Sequence, residues 1–174
     1  MEKFPYRKIL VVGCGGAGKT TFALEAGKRF GLPVVHLDKL RWLPGWVERD
    51  KEEFDRLLKQ ELEKPSWVMD GNFRRTLRTR LAYCDATVFL DFPTEECLKN
   101  AYARAEKYRG KTRPDMTEGC PEIVREDFEV WIKNFNTNVR GEILSWLAES
   151  GKPYFVFESR QAAYAWLDGF QNAT

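Results

Sequence analysis

The sequence predicts an α/β fold in which five parallel strands form a sheet flanked by helices. Three observations carry that expectation. Short apolar runs alternate with stretches of helical periodicity along the 174 residues. The runs lack alternating polar positions, as strands covered on both faces require. The third is residues 9–21, ILVVGCGGAGKTT, where a branched apolar strand passes through a glycine-dense turn into a helix.

That turn has a chemical spelling. Gly13-Cys14-Gly15-Gly16-Ala17-Gly18-Lys19-Thr20 matches G-x-x-x-x-G-K-[ST] at every position, the mark of a P-loop NTPase. Glycines let the backbone wrap a polyphosphate with its N–H groups pointing inward. The helix starting near Gly18 adds its positive dipole end. Lys19 is expected to reach the β- and γ-phosphates, and the Thr20 hydroxyl to hold Mg²⁺. The expected ATP-binding segment therefore runs from Gly13 to Thr21. A glycine-rich turn with no ligand would leave the Lys-Thr pair unexplained.

Composition bounds the rest. Hydrophobic residues make up 43% and charged residues 31%, a balance that suits one soluble domain spanning 1–174. The net charge of +2 excludes a polycation, so anion binding must come from local clustering. No apolar run approaches the ~18 residues of a membrane span. The N-terminal MEKFP lacks a signal peptide's apolar stretch, which points to the cytoplasm. The four cysteines show no C-x-x-C spacing, which argues against a zinc site or a disulfide framework. Cys84 and Cys97 read as small core residues.

Taken in order, residues 19–30 read as a helix stopped by Gly31. Val34-Val35-His36-Leu37 is a strand with Asp38 at its exit, and 39–49 is loop-like around Pro44-Gly45. Asp50 and Glu53 suggest a capping box for a helix to about Glu63. Ser66–Asp70 is the next strand, followed by Gly71-Asn72-Phe73 and an arginine-dense helix to about Tyr83. Ala86–Asp91 is a strand, and Thr94 the expected cap of a helix to about Tyr108. Residues 109–121, RGKTRPDMTEGCP, read as a mobile surface segment. Residues 122–149 are helical in pattern, with an interruption near 134–136. A fifth strand covers 153–157, and Ser159 caps a last helix over about 160–170. Ligands in such sheets sit at the carboxyl ends of the strands, where Gly13, Asp38, Asp70, Asp91 and Ser159 fall.

Several of these groups carry chemistry. Asp70 is a candidate Mg²⁺ ligand, directly or through water, with Thr20. Asp38 is a candidate to orient or deprotonate an acceptor. Arginines cluster at Arg74, Arg75, Arg78 and Arg80, and basic residues again over 104–113. Guanidinium forks suit phosphate oxygens, and mobile ones can close over a transferring phosphoryl group. The bland reading is a solvated helix face. His36, the only histidine, lies in an apolar strand and reads as structural. Trp42 and Trp46 either wall a substrate pocket or pack onto the next helix.

Together these blocks resemble the adenylate kinase-related P-loop kinases, and within them the topology modulation proteins, FlaR-like. The similar blocks are GCGGAGKT, HLDKLRWLPGW, WVMDGNF, TVFLDFP and YRGKTRPDMTEGCPE. The resemblance implies a nucleoside-monophosphate-kinase-like fold in which 109–121 is a short lid. It implies Arg109 and Arg113 as closing arginines, with Lys19, Asp38 and the two lid arginines as the catalytic set. Asp38-Lys39-Leu40-Arg41 is similar to the segment whose arginine holds the acceptor's phosphate, which makes Arg41 a candidate for that role. Asp70-Gly71 matches an Asp-Gly turn after the third strand, with Arg74 or Arg75 following. The implied acceptor side comprises Asp38, Arg41, Trp42, Asp70, Gly71, Asn72, Arg75, Arg80 and Arg125. Ser159-Arg160 lies where such kinases hold the purine. The turn departs from the adenylate kinase pattern, reading Gly71-Asn72-Phe73-Arg74, and lid zinc cysteines are absent.

The leading functional expectation is a small-molecule kinase using ATP and Mg²⁺. The alternative is an ATP-binding regulatory protein that affects DNA topology or transcription, with its arginine clusters on the DNA backbone. No helix-turn-helix, finger or aromatic-basic motif supports direct nucleic-acid binding. No N-K-x-D segment supports a GTPase.

Overall fold

The apolar runs form one sheet in the computed structural model of the chain, which describes residues 1–123 and 125–173. Its strands are β1 (Lys8–Gly13), β2 (Val34–His36), β3 (Trp67–Asp70), β4 (Ala86–Leu90) and β5 (Tyr154–Phe157). All pair in parallel, in the order β2-β3-β1-β4-β5. The central strand explains its own composition: Ile9, Leu10, Val11 and Val12 are each at most 1% exposed. The register aligns the strand ends that matter. Asp70 lies across from Val11 on one side and from His36 on the other. The exits of β1, β2 and β3 therefore share one edge of the sheet.

Helices cover the sheet. α1 (Lys19–Phe30) follows β1 and stops at Gly31, whose φ of +66° turns the chain out of the helix. α2 (Leu37–Arg41) was not expected; it begins directly after β2 and places Asp38 in its first turn rather than in a loop. It leads into an antiparallel hairpin, Trp42–Leu43 with Val47–Glu48, where the sequence suggested only loop. Two-residue strands are too short to leave a periodic signature.

α3 (Lys51–Leu62) is capped by Asp50, whose carboxylate accepts from the amides of Glu52 at 3.0 Å and Glu53 at 3.3 Å. The Glu53 side chain pairs with Arg49 instead of completing the box. α4 (Arg74–Tyr83) follows β3. α5 (Thr94–Lys107) has Pro93, not Thr94, at its cap position. α6 (Glu126–Asn138) and α7 (Arg140–Glu149) divide at Val139, a few residues beyond the expected interruption. Residues 122 and 123 precede the helix, and residue 124, within the expected helical span, lies outside the described residues. α8 (Arg160–Asp168) is capped by Ser159, which accepts from the Ala162 amide at 3.2 Å.

One pairing joins the ends of the fold. Glu2–Lys3 lies parallel to Phe170–Gln171, with Phe4 stacked on Phe30 at a centroid separation of 3.7 Å. No helix among the described residues is long and apolar enough to cross a membrane.

Candidate active site

The phosphate loop is held from three directions. From β3, Asn72 bonds both ends of one peptide group: Oδ1 accepts from the Gly13 amide at 2.9 Å, and Nδ2 donates to the Gly13 carbonyl at 2.5 Å. Asn72 thus supports the loop; it is not free to contact an acceptor, as the sequence had suggested. From α5, backbone meets backbone: a Cβ on Gly16, at φ +79°, would lie 2.0 Å from the Cys97 carbonyl oxygen. Asn100 adds a bond from Nδ2 to the Gly16 carbonyl at 3.1 Å. From α6, the Phe128 ring lies against Gly15. Of the four loop glycines, Gly18, also left-handed, is the one where a Cβ would point into open space. That side is where a polyphosphate can approach. The Cys14 side chain turns inward, and its contact with Cys97 together with burial raises its pKa, so the thiol stays protonated.

Lys19 opens α1 and folds over the loop. Its ammonium donates to the carbonyls of Gly13 at 3.0 Å and Cys14 at 2.9 Å. Burial lowers its pKa, and the charges of Asp70 and Asp38 recover only part of that loss. No carboxylate forms a salt bridge with it among the described residues. A desolvated cation lodged among carbonyls matches the chemistry of an incoming phosphate. Thr20 donates its hydroxyl to Asp115 Oδ2 at 3.2 Å. Thr21, the last residue of the motif, is exposed on α1.

Three carboxylates influence this edge. Burial raises the Asp38 pKa; Arg113 and Lys19 oppose the rise, while Asp70 and Asp115 add to it. His36 Nδ1 lies 2.5 Å from Asp70 Oδ2, with both side chains almost covered. The lone histidine is therefore structural, yet it supports a residue of the candidate site. Asp70, expected as a cation ligand, is engaged with His36. A hydroxyl and carboxylates are the hard oxygen donors that Mg²⁺ takes. No three of the His, Cys, Asp and Glu side chains form a metal cluster among the described residues. A cation here would complete its shell with water and phosphate oxygens, as Mg²⁺ commonly does.

The segment 109–121, expected to be a mobile lid, is packed rather than loose. Arg113 is 7% exposed, with Nε 2.7 Å from Glu122 Oε2 and Nη1 3.5 Å from Asp115 Oδ2. Arg104 Nε reaches the other Glu122 oxygen at 3.2 Å. Asp115 and Glu122 were missed by sequence reading; the only signal was an acid two residues after Arg113. Arg109, expected to share the closing role, faces solvent at 79% side-chain exposure and pairs with Glu106. Its neighbour four positions on is the buried one.

The other candidates separate. Arg41 lies over the rings of Trp42, at 4.7 Å, and Phe73, at 5.4 Å, with Nε 3.2 Å from Glu48. Trp42 and Trp46 meet edge to face at 5.4 Å. Arg125 stands 5.5 Å from the Trp46 ring. Arg80 is a correction: it is fully buried, and its guanidinium bonds the carbonyls of Gly71, Asn72 and Phe73. It fixes the turn after β3 instead of meeting a substrate. Arg75 is spent on a bidentate pair with Asp55 at the surface. Arg160 lies over Tyr164, and Ser159 serves as a helix cap. Asp91, at the carboxyl end of β4, accepts two bonds from Arg140.

No family model matches this chain, and no curated protein matches it. Solved structures do. A shikimate kinase from Acinetobacter baumannii, in complex with shikimate, aligns over 93% of this chain and 91% of its own, with a TM-score of 0.59 and 18% identity. A shikimate kinase from Bacteroides thetaiotaomicron aligns over 95% and 96%, with a TM-score of 0.56 and 16% identity. At these identities the likeness is one of fold. The chain thus has a P-loop, nucleoside-monophosphate-kinase-like fold, which it shares with these shikimate kinases along nearly its whole length.

Proposed function

We propose that the protein is a phosphotransferase that moves the γ-phosphoryl group of ATP to a small-molecule acceptor. The acceptor class is a nucleoside, a nucleotide or another small hydroxylated or phosphorylated compound. One observation carries the reading: Lys19, desolvated in the mouth of the phosphate loop without a carboxylate partner, on the edge that the lid reaches through Asp115 and Thr20. The kinase fold and the sequence blocks shared with the topology modulation group of adenylate kinase relatives agree with it. The two shikimate kinases of like fold, themselves enzymes named for a small-molecule acceptor, support the reading.

In this reading the loop amides and Lys19 hold the donor phosphates. The acceptor oxygen bonds to the γ-phosphorus as the bond to the bridging oxygen breaks, and ADP leaves. Asp38, whose carboxyl is held above its ordinary pKa by burial, takes the hydroxyl proton. Arg113 stabilises charge on the transferring group, and the packed lid excludes water that would otherwise hydrolyse ATP. Thr20 would hold Mg²⁺ with a carboxylate of the Asp70 and Asp115 pair, and the ion would neutralise phosphate charge. Arg41, between two rings, is the candidate to meet an anionic or planar acceptor.

The DNA-binding alternative rested on two basic clusters, 74–80 and 104–113; in the second, Arg104 and Arg113 pair with Glu122 and Arg109 with Glu106. Arg74, Arg75 and Arg78 pair with Glu142, Asp55 and Glu149, and Arg80 is buried. That leaves no concentrated basic patch on α4, so the kinase reading is favoured. The test is a panel of nucleosides, nucleotides and small metabolites assayed for ADP release from ATP with magnesium. Acceptor-dependent release supports the proposal; a panel without any, alongside ATP that fails to bind, removes it.

A further inference from the structure

The lid is fastened at both ends. At the phosphate loop, Thr20 donates to Asp115 at 3.2 Å, and Arg113 lies beside the same carboxylate. At the far end, four bonds tie residues 117–121 to the hairpin at 42–48. Thr117 Oγ1 donates to the Trp42 carbonyl at 2.6 Å, and the Gly45 amide donates to the Gly119 carbonyl at 2.9 Å. The Trp46 indole N–H donates to the Pro121 carbonyl at 3.1 Å, and the Cys120 thiol to the Leu43 carbonyl at 3.2 Å. The junction is packed as well as bonded. Cys120 and Met116 are buried, and a Cβ on Gly119 would stand 3.1 Å from the Pro44 Cβ.

The hairpin is continuous with α2, which carries Asp38 and Arg41. Thr117 Oγ1 also lies 3.4 Å from the Lys39 carbonyl, inside that helix. Thr117 is therefore where the lid grips the acceptor-side segment by its backbone. Such a grip transmits position, because main-chain carbonyls move only with their element.

We propose that Thr117 is a positioning residue that joins the lid and the α2–hairpin segment into one closing unit. Nucleotide draws the lid down at its Arg113–Asp115 end, and the clasp seats Asp38 and Arg41 with it. Donor binding thereby prepares the acceptor side before any acceptor arrives. The inference rests on the nucleotide reading above, and it adds a coupling that the phosphate loop alone does not contain.

Two protons report the clasp directly. The Gly45 amide and the Trp46 indole N–H both donate to lid carbonyls, so their exchange with solvent slows when the clasp is shut. The experiment adds ADP with magnesium to the full chain and follows both by NMR hydrogen exchange. In the wild type, saturation slows both at least ~5-fold, the scale of one net hydrogen bond. Thr117→Val keeps the side-chain shape, removes the hydroxyl and abolishes that slowing, while ADP affinity stays within ~3-fold because the phosphate loop is intact. Thr117→Ser restores the slowing. Exchange at Leu10, in the centre of the sheet, stays unchanged in both variants and excludes general unfolding. If Thr117→Val keeps the full slowing, or if the wild type binds ADP with no change at Gly45, the coupling is wrong. If the wild type does not bind ADP at all, the nucleotide reading itself fails.

Discussion

Asn72 holds Gly13 by both its amide and its carbonyl, at 2.9 and 2.5 Å, so a residue after the third strand sets the first peptide of the phosphate loop. The two residues are 59 positions apart in sequence. They meet because β1 and β3 are neighbours in the sheet. Asn72→Ala leaves the buried Gly13 N–H without its partner and the Gly13 carbonyl with Lys19 alone, which should destabilise the protein by about 1–3 kcal/mol. ADP affinity should fall with it, because the loop amides lose their alignment. Asn72→Asp should not rescue, since a carboxylate accepts from the amide but repels the carbonyl. Denaturant midpoints and ADP titrations of the two variants check this; an Asp variant equal to wild type would contradict the clamp.

Lys19 gives a prediction with two opposite signs. Its pKa is depressed below the ordinary 10.5 by burial. A base depressed on folding penalises the folded state fully below its folded pKa, and the penalty fades as pH rises from that value to 10.5. At neutral pH, well below 10.5, the penalty is present. Lys19→Met should therefore melt at or above the wild-type temperature without ligand. Turnover should drop at least ~100-fold, and the rise in melting temperature on adding ADP should shrink. A variant that loses stability yet keeps turnover would contradict both parts.

His36 supports Asp70 in a pH-dependent way. Burial pulls the imidazole's pKa down, but the hydrogen bond and charge of Asp70 outweigh it, with Asp115 adding and Lys39 opposing. The net shift is upward from 6.5. A base raised on folding stabilises fully below its unfolded pKa, and that stability is lost as pH climbs through the folded value. His36→Asn should therefore be less stable than wild type near pH ~6, with the gap closing toward pH ~9. Urea denaturation at several pH values measures the gap; a constant gap would show that the pair does not titrate as described.

Arg80 ties down the turn that bears Asn72. Phe73 sits at a φ of +38°, unusual for a side chain of its size. The Arg80 fork bonds carbonyls on three successive residues there, and burial pulls its pKa down to about 9. Arg80→Met should destabilise by about 3–5 kcal/mol, since carbonyls are left unpaired in the interior and the turn is released. Arg80→Lys should recover only part of this, because an ammonium cannot span the same three acceptors. Full recovery by lysine, read from denaturant midpoints, would argue that charge alone matters here.

Much of the fold was legible because it is written locally. The phosphate loop declares itself in eight consecutive residues, and buried strands declare themselves by unbroken apolar runs. Asp50, Ser159 and Gly31 act at the helix ends as their residue types suggest. The misses came from partners distant in sequence. Arg80 and Arg75 look alike in the chain, yet one is sealed under the β3 turn and the other pairs at the surface. Arg109 and Arg113 differ the same way, because Glu122 and Asp115 lie in ion-pair range of the second alone. The short α2 helix and its hairpin lie below the length at which periodicity speaks.

By itself, the sequence determined that this chain would build a parallel sheet with a phosphate loop at its central strand. Backbone conformation at glycines and the apolar content of strands are local properties, and they need no partner to be read. Tertiary structure alone decided which cations stay at the site and which are neutralised. It also decided that residues 117–121 would grip the Trp42–Glu48 hairpin. Those outcomes depend on which buried acceptors lie within hydrogen-bond reach, and the chain's path through space is what brings them there.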